Sequence, residues 1–359
     1  MKTVNKFLSL IILGSCFLFT ACDDDATNST LGPVASGFLG TSSSTDEDGS
    51  AVSISVGFEA GAPEAGTVII DISETGATSA NYTTSPAASG GQITLAIAEG
   101  QNSASFIVTP VDDNDADGNK TLTFTLSSVS GGIRLGNTTL SHTLTITEDD
   151  LIFEQVAFTS FEEPNTGGKY IDTFDPNTDH DLINNPGQAD VDFISVGGEM
   201  GFDASYVNTQ NSTGLQDDFG SGPTGDFVGV TDFTGDVGSF TDGTNGYQFQ
   251  DTDGQMILTF DDADFTNYLT GTVSLDVFFS DTGFESGDAV RIYIKVGSQE
   301  IDLVNLQAGA IADVNNQWLS YEATFTGGSN VTLIAEVETN STSEEVYLDN
   351  VKFIGGRLP

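Results

Sequence analysis

Apolar and polar residues alternate in short runs along most of this chain. The run at residues 51–58 is typical, because Val52, Ile54, Val56 and Phe58 all fall on one side. Strict alternation over about four to eight residues is the pattern of a half-buried β-strand. Comparable runs follow at 66–72, 91–97, 104–111, 121–126 and 140–148. Such strands, joined by tight turns, predict an antiparallel β-sandwich over residues 37–150.

The remaining part, residues 151–359, is also typical of strands. It holds about nine further apolar runs enriched in aromatic residues, with turn pairs such as Asp253-Gly254 and Gly327-Gly328 between them. Runs of this number and spacing predict a larger two-sheet jelly roll. Long stretches of helix-forming residues are missing from both parts. We therefore expect an all-β protein, with an immunoglobulin-like sandwich followed by a jelly roll.

The N-terminus has the pattern of an export signal. Lys2 and Lys6 precede an apolar run at 7–19, which is too short for a good membrane-spanning helix. Small residues then lead to Cys22, and residues 19–22 resemble the lipobox of bacterial lipoproteins. The resemblance implies a signal peptide at 1–21 and a lipidated Cys22, which would anchor the chain in outer-membrane lipid.

Three aspartates follow the lipidated position directly, at residues 23–25. An acidic tract at this place resembles the surface-export signal of lipoproteins from the Bacteroidetes group. It implies an outer-membrane lipoprotein that faces the cell exterior. Residues 22–36 are polar with Gly and Pro and are interpreted as a tether. The two cysteines, Cys16 and Cys22, are both used by this segment, so neither a disulfide nor a cysteine nucleophile is expected.

Charge narrows the set of partners. The chain carries 53 acidic against 9 basic residues, for a net charge of -44. Such a chain repels nucleic acid and anionic lipid surfaces. Ca²⁺, a hard cation that prefers oxygen ligands, is the natural partner of this composition. The alternative is that most of the acids serve only solubility.

Two acidic clusters stand at strand ends in the first region, at 112–117 and 148–150. Loops at the ends of a sandwich meet at one pole, so these clusters can converge, and a cation would turn their repulsion into attraction. With the acidic pair Asp46-Glu47 and the dipeptide Asn81-Tyr82, their order resembles the Calx-beta family of calcium-binding sandwiches. The resemblance implies Ca²⁺ ligands at Glu47, Asp112, Asp113, Asp117, Glu148, Asp149 and Asp150.

The sequence departs from the family pattern at two of these places. Asn81 replaces an aspartate, and Lys120 stands where a second acidic ligand is expected. A lysine there removes a ligand and repels an ion, so weaker or fewer calcium sites are expected. Ordinary solvated loops remain the alternative for both clusters.

The ends of the second region resemble the first and last strands of galactose-binding-like jelly rolls, the fold of many carbohydrate-binding modules. These ends are residues 160–163 and 346–353. The resemblance implies a second calcium held by Glu162 and Asp349. Sugar recognition needs exposed aromatic side chains. The candidates are Tyr170, Tyr206, Tyr247 and Trp318, although the strand phase of Trp318 favours a structural role for it.

No metalloprotease, serine-hydrolase, P-loop or dinucleotide motif occurs in the chain. We therefore expect a protein that is not an enzyme. The predicted function is a calcium-stabilised surface lipoprotein whose jelly roll binds carbohydrate or another ligand. Two alternatives remain open: an adhesion or scaffold subunit that binds a surface protein, and a glycan-degrading enzyme with a site that the sequence does not reveal.

Overall fold

The computed structural model describes residues 34–210, 214–215, 227–280 and 283–359. The signal peptide, Cys22 and the acidic tract after it therefore lie outside the described residues. The predicted tether reaches residue 36, but its last three residues belong to a strand that begins at Val34. They are strand because they pair with two neighbouring segments, one of them parallel.

The first ten strands form two five-stranded sheets. In chain order they are β1 Val34–Phe38, β2 Ser42–Asp46, β3 Val52–Phe58, β4 Gly66–Thr75, β5 Tyr82–Ser85, β6 Gln92–Ile97, β7 Ser103–Pro110, β8 Lys120–Val129, β9 Ile133–Leu135 and β10 Ser141–Thr147. One sheet has the order β5-β7-β3-β1-β9, and the other has the order β2-β10-β8-β4-β6. The chain thus crosses from one sheet to the other between β1 and β2.

Alternation accounts for the way these two sheets pack. In β7 every second residue is buried, including Phe106, while its neighbours are exposed. The Phe106 ring meets Phe124 of β8 edge-on, with 4.9 Å between ring centroids. Side chains from both sheets form one apolar core. A sandwich of this kind is stabilised mainly by removal of apolar surface from water.

The next thirteen strands form two larger sheets. They are β11 Ile152–Thr159, β12 His180–Asp181, β13 Phe202–Val207, β14 Phe227–Thr231, β15 Gly246–Gln250, β16 Gly254–Phe260, β17 Ala263–Asp264, β18 Thr270–Phe279, β19 Ala289–Val296, β20 Gln299–Gln307, β21 Trp318–Thr326, β22 Asn330–Thr339 and β23 Glu345–Arg357. A single helical turn, α1, spans Gly309–Ala312. Among the described residues, no helix has the length and hydropathy needed to cross a membrane.

One of these sheets has the order β14-β15-β23-β18-β21, and β11 also pairs with β23. The other has the order β12-β13-β16-β22-β19-β20, and β17 pairs with β22. Aromatic residues join the two sheets, as where Phe202 of β13 meets Tyr247 of β15 at 5.5 Å. The prediction of an all-β protein built from sandwich-type sheets is confirmed.

Candidate functional sites

Strand register brings three charged residues together at one pole of the first sandwich. Thr147 at the end of β10 pairs with Asp46 at the end of β2, so Glu47 and Glu148 follow side by side. Ile146 pairs on its other side with Lys120, the first residue of β8. The backbone N–H of Glu47 donates to the Thr147 carbonyl at 3.0 Å, which closes this end of the sheet.

The Lys120 ammonium lies at the centre of this pole. Its Nζ is 3.0 Å from Oε2 of Glu47, 2.5 Å from Oδ1 of Asp117 and 3.9 Å from Oε2 of Glu148. Lys120 and Glu47 are each 1% exposed. We call Glu47, Asp117 and Glu148 the inner tier. Each of the three offers a carboxylate oxygen within 4.8 Å of the others. Negative charges this close repel one another, and the Lys120 ammonium between them offsets that repulsion.

Glu148 has a further role as an acceptor for backbone groups. Its Oε2 accepts the N–H groups of Asp117 and Gly118, and its Oε1 accepts those of Asp149 and Asp150, at 2.9–3.1 Å. The Glu148 side chain therefore ties the loop before β8 to the segment after β10. This contact joins the two acidic clusters that are separated in the sequence.

The pKa values in the inner tier follow from burial and these contacts. Burial raises the pKa of Glu47, although hydrogen bonds from Lys120 oppose the shift. Burial acts on Glu148 in the same direction, but its backbone hydrogen bonds outweigh it and lower its pKa. For Lys120, burial disfavours the charge, while hydrogen bonds to Asp117 and Glu47 raise its pKa above the ordinary value.

A second set of carboxylates lies outside the ion pair. We call Asp112, Asp113, Asp149 and Asp150 the outer tier. Local desolvation, followed by repulsion from Glu148, Asp112 and Asp113, raises the pKa of Asp150. The same effects, with Asp48 among the neighbours, raise the pKa of Asp149. Oδ2 of Asp150 is buried and has no hydrogen-bond partner within the described structure.

The two tiers differ in their fitness for Ca²⁺. In this structure the oxygens of Glu47 and Glu148 accept hydrogen bonds from Lys120 and from backbone N–H groups, so an ion bound by the inner tier would have to displace the Lys120 ammonium. The outer tier has carboxylates that repel one another and an unused buried oxygen on Asp150, which is a favourable chemistry for Ca²⁺, but the compact carboxylate group among the described residues is the inner tier. Glu47, Asp117 and Glu148 contact Lys120 and the backbone in this structure, and their expected role as Ca²⁺ ligands stays a prediction.

Glu162 and Asp349 both accept hydrogen bonds from the backbone of one loop, residues 241–245. Asp349 is fully buried, and its Oδ2 accepts the backbone N–H groups of Thr241 and Asp242 at 2.6 and 2.8 Å. The exposed Glu162 accepts the N–H groups of residues 244 and 245 through its Oε1. These carboxylates hold residues 241–245 in place, and within the described ranges they form no compact group with a third acid. Both carboxylates are engaged with backbone N–H groups of this loop, and the calcium that we expected at Glu162 and Asp349 stays a prediction.

Three of the four aromatic candidates for sugar stacking are in the core. Tyr170, Tyr206 and Tyr247 are 4%, 1% and 0% exposed, so the expectation of exposed rings is wrong for them. The physical reason for Tyr247 is that β15 lies between β14 and β23 and is covered on both faces. Trp318 is partly buried, and its indole N–H donates to the Ser239 carbonyl at 2.9 Å.

An open pocket of about 430 Å³ lies on the sheet that contains β14, β15 and β23. Its aromatic wall is Phe233, whose side chain is 53% exposed. Its polar lining includes the buried Gln248, together with Gln250, Asp236 and Glu345. Gln250 donates to the Thr342 carbonyl at 2.6 Å, which joins the strand to the loop at the rim.

Two carboxyl groups in this pocket interact directly. Asp236 and Glu345 lie within hydrogen-bonding distance of each other. Burial, together with repulsion from Asp236, raises the pKa of Glu345 to about 7, although the Tyr347 hydroxyl donates to Glu345 at 2.9 Å. The pair thus holds a proton near neutral pH.

Sequence reasoning did not find this pocket. Its residues come from positions 169 to 345 and share no motif, since strand pairing alone brings them together. The available signal was β15 itself, where Gln248 alternates with the apolar residues Tyr247 and Phe249 in a strand that is otherwise buried. A buried amide in a central strand marks a polar site on one face of the sheet.

No protein-family model matches the chain, and no curated protein matches it significantly. Solved structures to which the chain is similar include the apo form of the Calx CBD1 domain, at TM-score 0.28 and 16% identity over 33% of this chain and 99% of that chain. CBD12 from CALX1.2 has TM-score 0.31 and 14% identity over 90% and 81% of the two chains. The Family 16 Carbohydrate Binding Module-2 has TM-score 0.24 and 14% identity over 41% and 97%.

Proposed function

We propose that the second pair of sheets binds carbohydrate in the pocket on β14, β15 and β23. The observation that carries this proposal is the combination of an exposed Phe233 ring with the convergent polar side chains of Gln248 and Glu345. An aromatic face packs against the C–H groups of a sugar ring, and amide and carboxyl groups satisfy its hydroxyls. A volume of about 430 Å³ suits one or two sugar units.

The same pocket supports binding without turnover. Glycoside hydrolysis needs two carboxyl groups about 5–10 Å apart, so that they can flank the bond that breaks. Asp236 and Glu345 interact with each other through a hydrogen bond, which does not favour separate roles on the two sides of a glycosidic bond. A shared proton instead lets the pair both donate to and accept from sugar hydroxyls.

Binding of the full chain to a carbohydrate array, followed by calorimetry on the glycans retained, tests this function. Phe233→Ala is expected to weaken binding at least about tenfold, through loss of the stacking face. Phe153→Ala is the matched control, since Phe153 is 65% exposed and does not line the pocket. Release of oligosaccharide, or equal binding by the Phe233→Ala chain, would contradict the proposal.

For the first sandwich we propose that Ca²⁺ binds the outer tier. The unused oxygen of Asp150 and the mutual repulsion of its neighbours support this site. Calcium is expected to raise the melting temperature of the full chain, and chelation to lower it. Asp149→Asn with Asp150→Asn should remove most of this response, whereas Asp46→Asn serves as a control outside the tier. An unchanged melting temperature with and without Ca²⁺ would rule out the site.

We also propose that the chain is a lipid-anchored protein on the cell exterior. The support is the order of basic residues, apolar run, Cys22 and acidic tract at the N-terminus. Protease treatment of intact cells should digest the wild-type chain, while Cys22→Ser should abolish membrane attachment. Full protection of the wild-type chain on intact cells would contradict surface exposure.

A further inference from the structure

Two buried carboxyl groups lie at one end of the second pair of sheets. Asp288 and Glu344 are 2% and 1% exposed. Asp288 directly precedes β19 and Glu344 directly precedes β23, so the two residues come from different sheets. Both are held by backbone donors: Glu285 donates its N–H to Oδ2 of Asp288, and Asn340 donates its N–H to Oε2 of Glu344 at 3.0 Å.

One oxygen of Asp288 has no fixed hydrogen-bond donor. Oδ1 of Asp288 is buried and has no donor within the described structure, although a protonated Glu344 carboxyl can hydrogen-bond to Asp288. Leaving such a group unsatisfied costs about 1–3 kcal/mol, and more when it is charged. No basic side chain in the described ranges forms an ion pair with either Asp288 or Glu344. An acceptor that a fold buries without a donor is a place where an exogenous positive group fits.

The charged side chains around Asp288 and Glu344 are also acidic. Besides the two buried carboxyl groups, Asp251 and Glu285 act on Glu344, and Glu285 and Glu338 act on Asp288. These side chains converge from the loop after β15, the loop before β19 and the end of β22. Their field attracts a cation and disfavours an anion.

We propose that Asp288 and Glu344 bind a divalent cation, with Ca²⁺ as the ion that best suits all-oxygen ligands from flexible loops. The unused Oδ1 of Asp288 supplies one ligand, and the Glu344 carboxylate supplies another. Backbone carbonyls and water complete such sites in proteins. The ion would fix the 340–345 segment, which carries Thr342 and Glu345 into the carbohydrate pocket.

A shared proton is the competing explanation for the same pair. Burial, together with repulsion from Asp288, raises the pKa of Glu344 to about 7. A cation that binds here near neutral pH must therefore displace a proton, so calorimetry in buffers of different ionisation enthalpy should reveal proton release. A pair that only shares a proton takes up no ion and shows no such heat.

The test uses the full chain with Asp149→Asn and Asp150→Asn, so that calcium at the first sandwich does not contribute. Calorimetric titration with CaCl₂ is expected to show one remaining site, with a rise of about 5 °C in melting temperature at saturation. Adding Asp288→Asn should weaken this site at least tenfold. Adding Glu322→Gln, an exposed acid on β21, should leave it unchanged.

Two outcomes would overturn the proposal. One is the absence of binding heat in the Asp149→Asn, Asp150→Asn chain, and another is a site that persists after Asp288→Asn. If Asp288→Asn does not fold, Glu344→Gln provides the same measurement at the partner carboxyl group. Failure of this site leaves carbohydrate binding and the outer-tier calcium site untouched, because each has its own variants.

Discussion

The Nζ atom of Lys120 lies 3.0 Å from Oε2 of Glu47, and both side chains are almost completely removed from solvent. The two residues are 73 positions apart in the chain and meet at the pole where acidic clusters converge. The lysine thus places a positive charge among the buried carboxylates of this pole.

Lys120→Met is expected to lower the free energy of unfolding of the first sandwich by about 3–5 kcal/mol, since it leaves Glu47 as an unpaired buried carboxylate. Denaturant unfolding of the full chain measures this change. Combining it with Glu47→Gln should cost less than the sum of the two single changes. Additive costs would show that the pair is not coupled.

The same substitution should create a response to calcium. Without the Lys120 ammonium, three carboxylates whose oxygens lie within 4.8 Å of one another lack a counter-charge, and Ca²⁺ can take that place. We expect Ca²⁺ to raise the melting temperature of the Lys120→Met chain more than that of the wild type. Equal calcium shifts in the two chains would contradict this account, and adding Glu47→Gln should abolish the difference.

Glu148→Gln is expected to destabilise the first sandwich by about 1–3 kcal/mol at pH 7, because a neutral amide has one oxygen for four N–H donors. The folded-state pKa of Glu148 lies below its ordinary value. Its contribution is therefore present above about pH 4.5 and is lost as the pH falls through the folded-state pKa. The free energies of unfolding of the wild-type and Glu148→Gln chains should become equal in acid. A difference that does not change with pH would argue against a charge effect.

The contribution of Glu345 to stability should change with pH in the opposite direction to that of Glu148. Its pKa is raised to about 7 in the folded state, so its contribution is fully present below about pH 4.5 and is lost as the pH rises through about 7. Glu345→Gln is therefore expected to stabilise the second pair of sheets at pH 8, by about 1–3 kcal/mol relative to wild type, and to do less at pH 5. Thermal melts across this range measure the effect. A benefit that is larger at pH 5 would reverse the sign and refute the assignment.

Gly243→Ala tests how Glu162 holds its loop. A Cβ at residue 243 would lie 2.3 Å from Oε1 of Glu162, so the carboxylate must leave the N–H groups of Thr244 and Asn245. We expect a loss of about 2–4 kcal/mol in the second pair of sheets. Gly238→Ala is the matched control, because Gly238 also has a positive φ but its Cβ would meet nothing within 4 Å. Equal losses in thermal melts of the two variants would assign the effect to backbone strain alone.

Period-two alternation was sufficient to predict the strands that build both cores. Phe106 illustrates this, because its position between two polar neighbours already places it on the inner face of β7. Period-two alternation does not predict which residues are buried in strands that are covered on both faces. In β15 Tyr247 and Gln248 are both buried, and their alternation no longer separates core from solvent.

The two acidic clusters were also visible in the sequence, but the role of Lys120 was not. From the sequence, Lys120 is expected to weaken calcium binding, because it replaces an acidic ligand and repels the ion. Its true place depends on the pairing of Ile146 with Lys120 and of Thr147 with Asp46. Such cross-strand register is a property of the folded sheet and leaves no trace in local spacing.

The order of apolar and polar residues by itself determined that this chain forms all-β sheets, since burial of one strand face follows from local alternation. It also determined the strong negative charge and the positions of the acidic clusters. Only the tertiary structure decided which carboxylates are neutralised internally, which remain without a partner and which line a pocket. The physical reason is that charge pairing and desolvation act over a few ångströms between residues that lie far apart in the chain, as for Lys120 and Glu47, which are 73 positions apart.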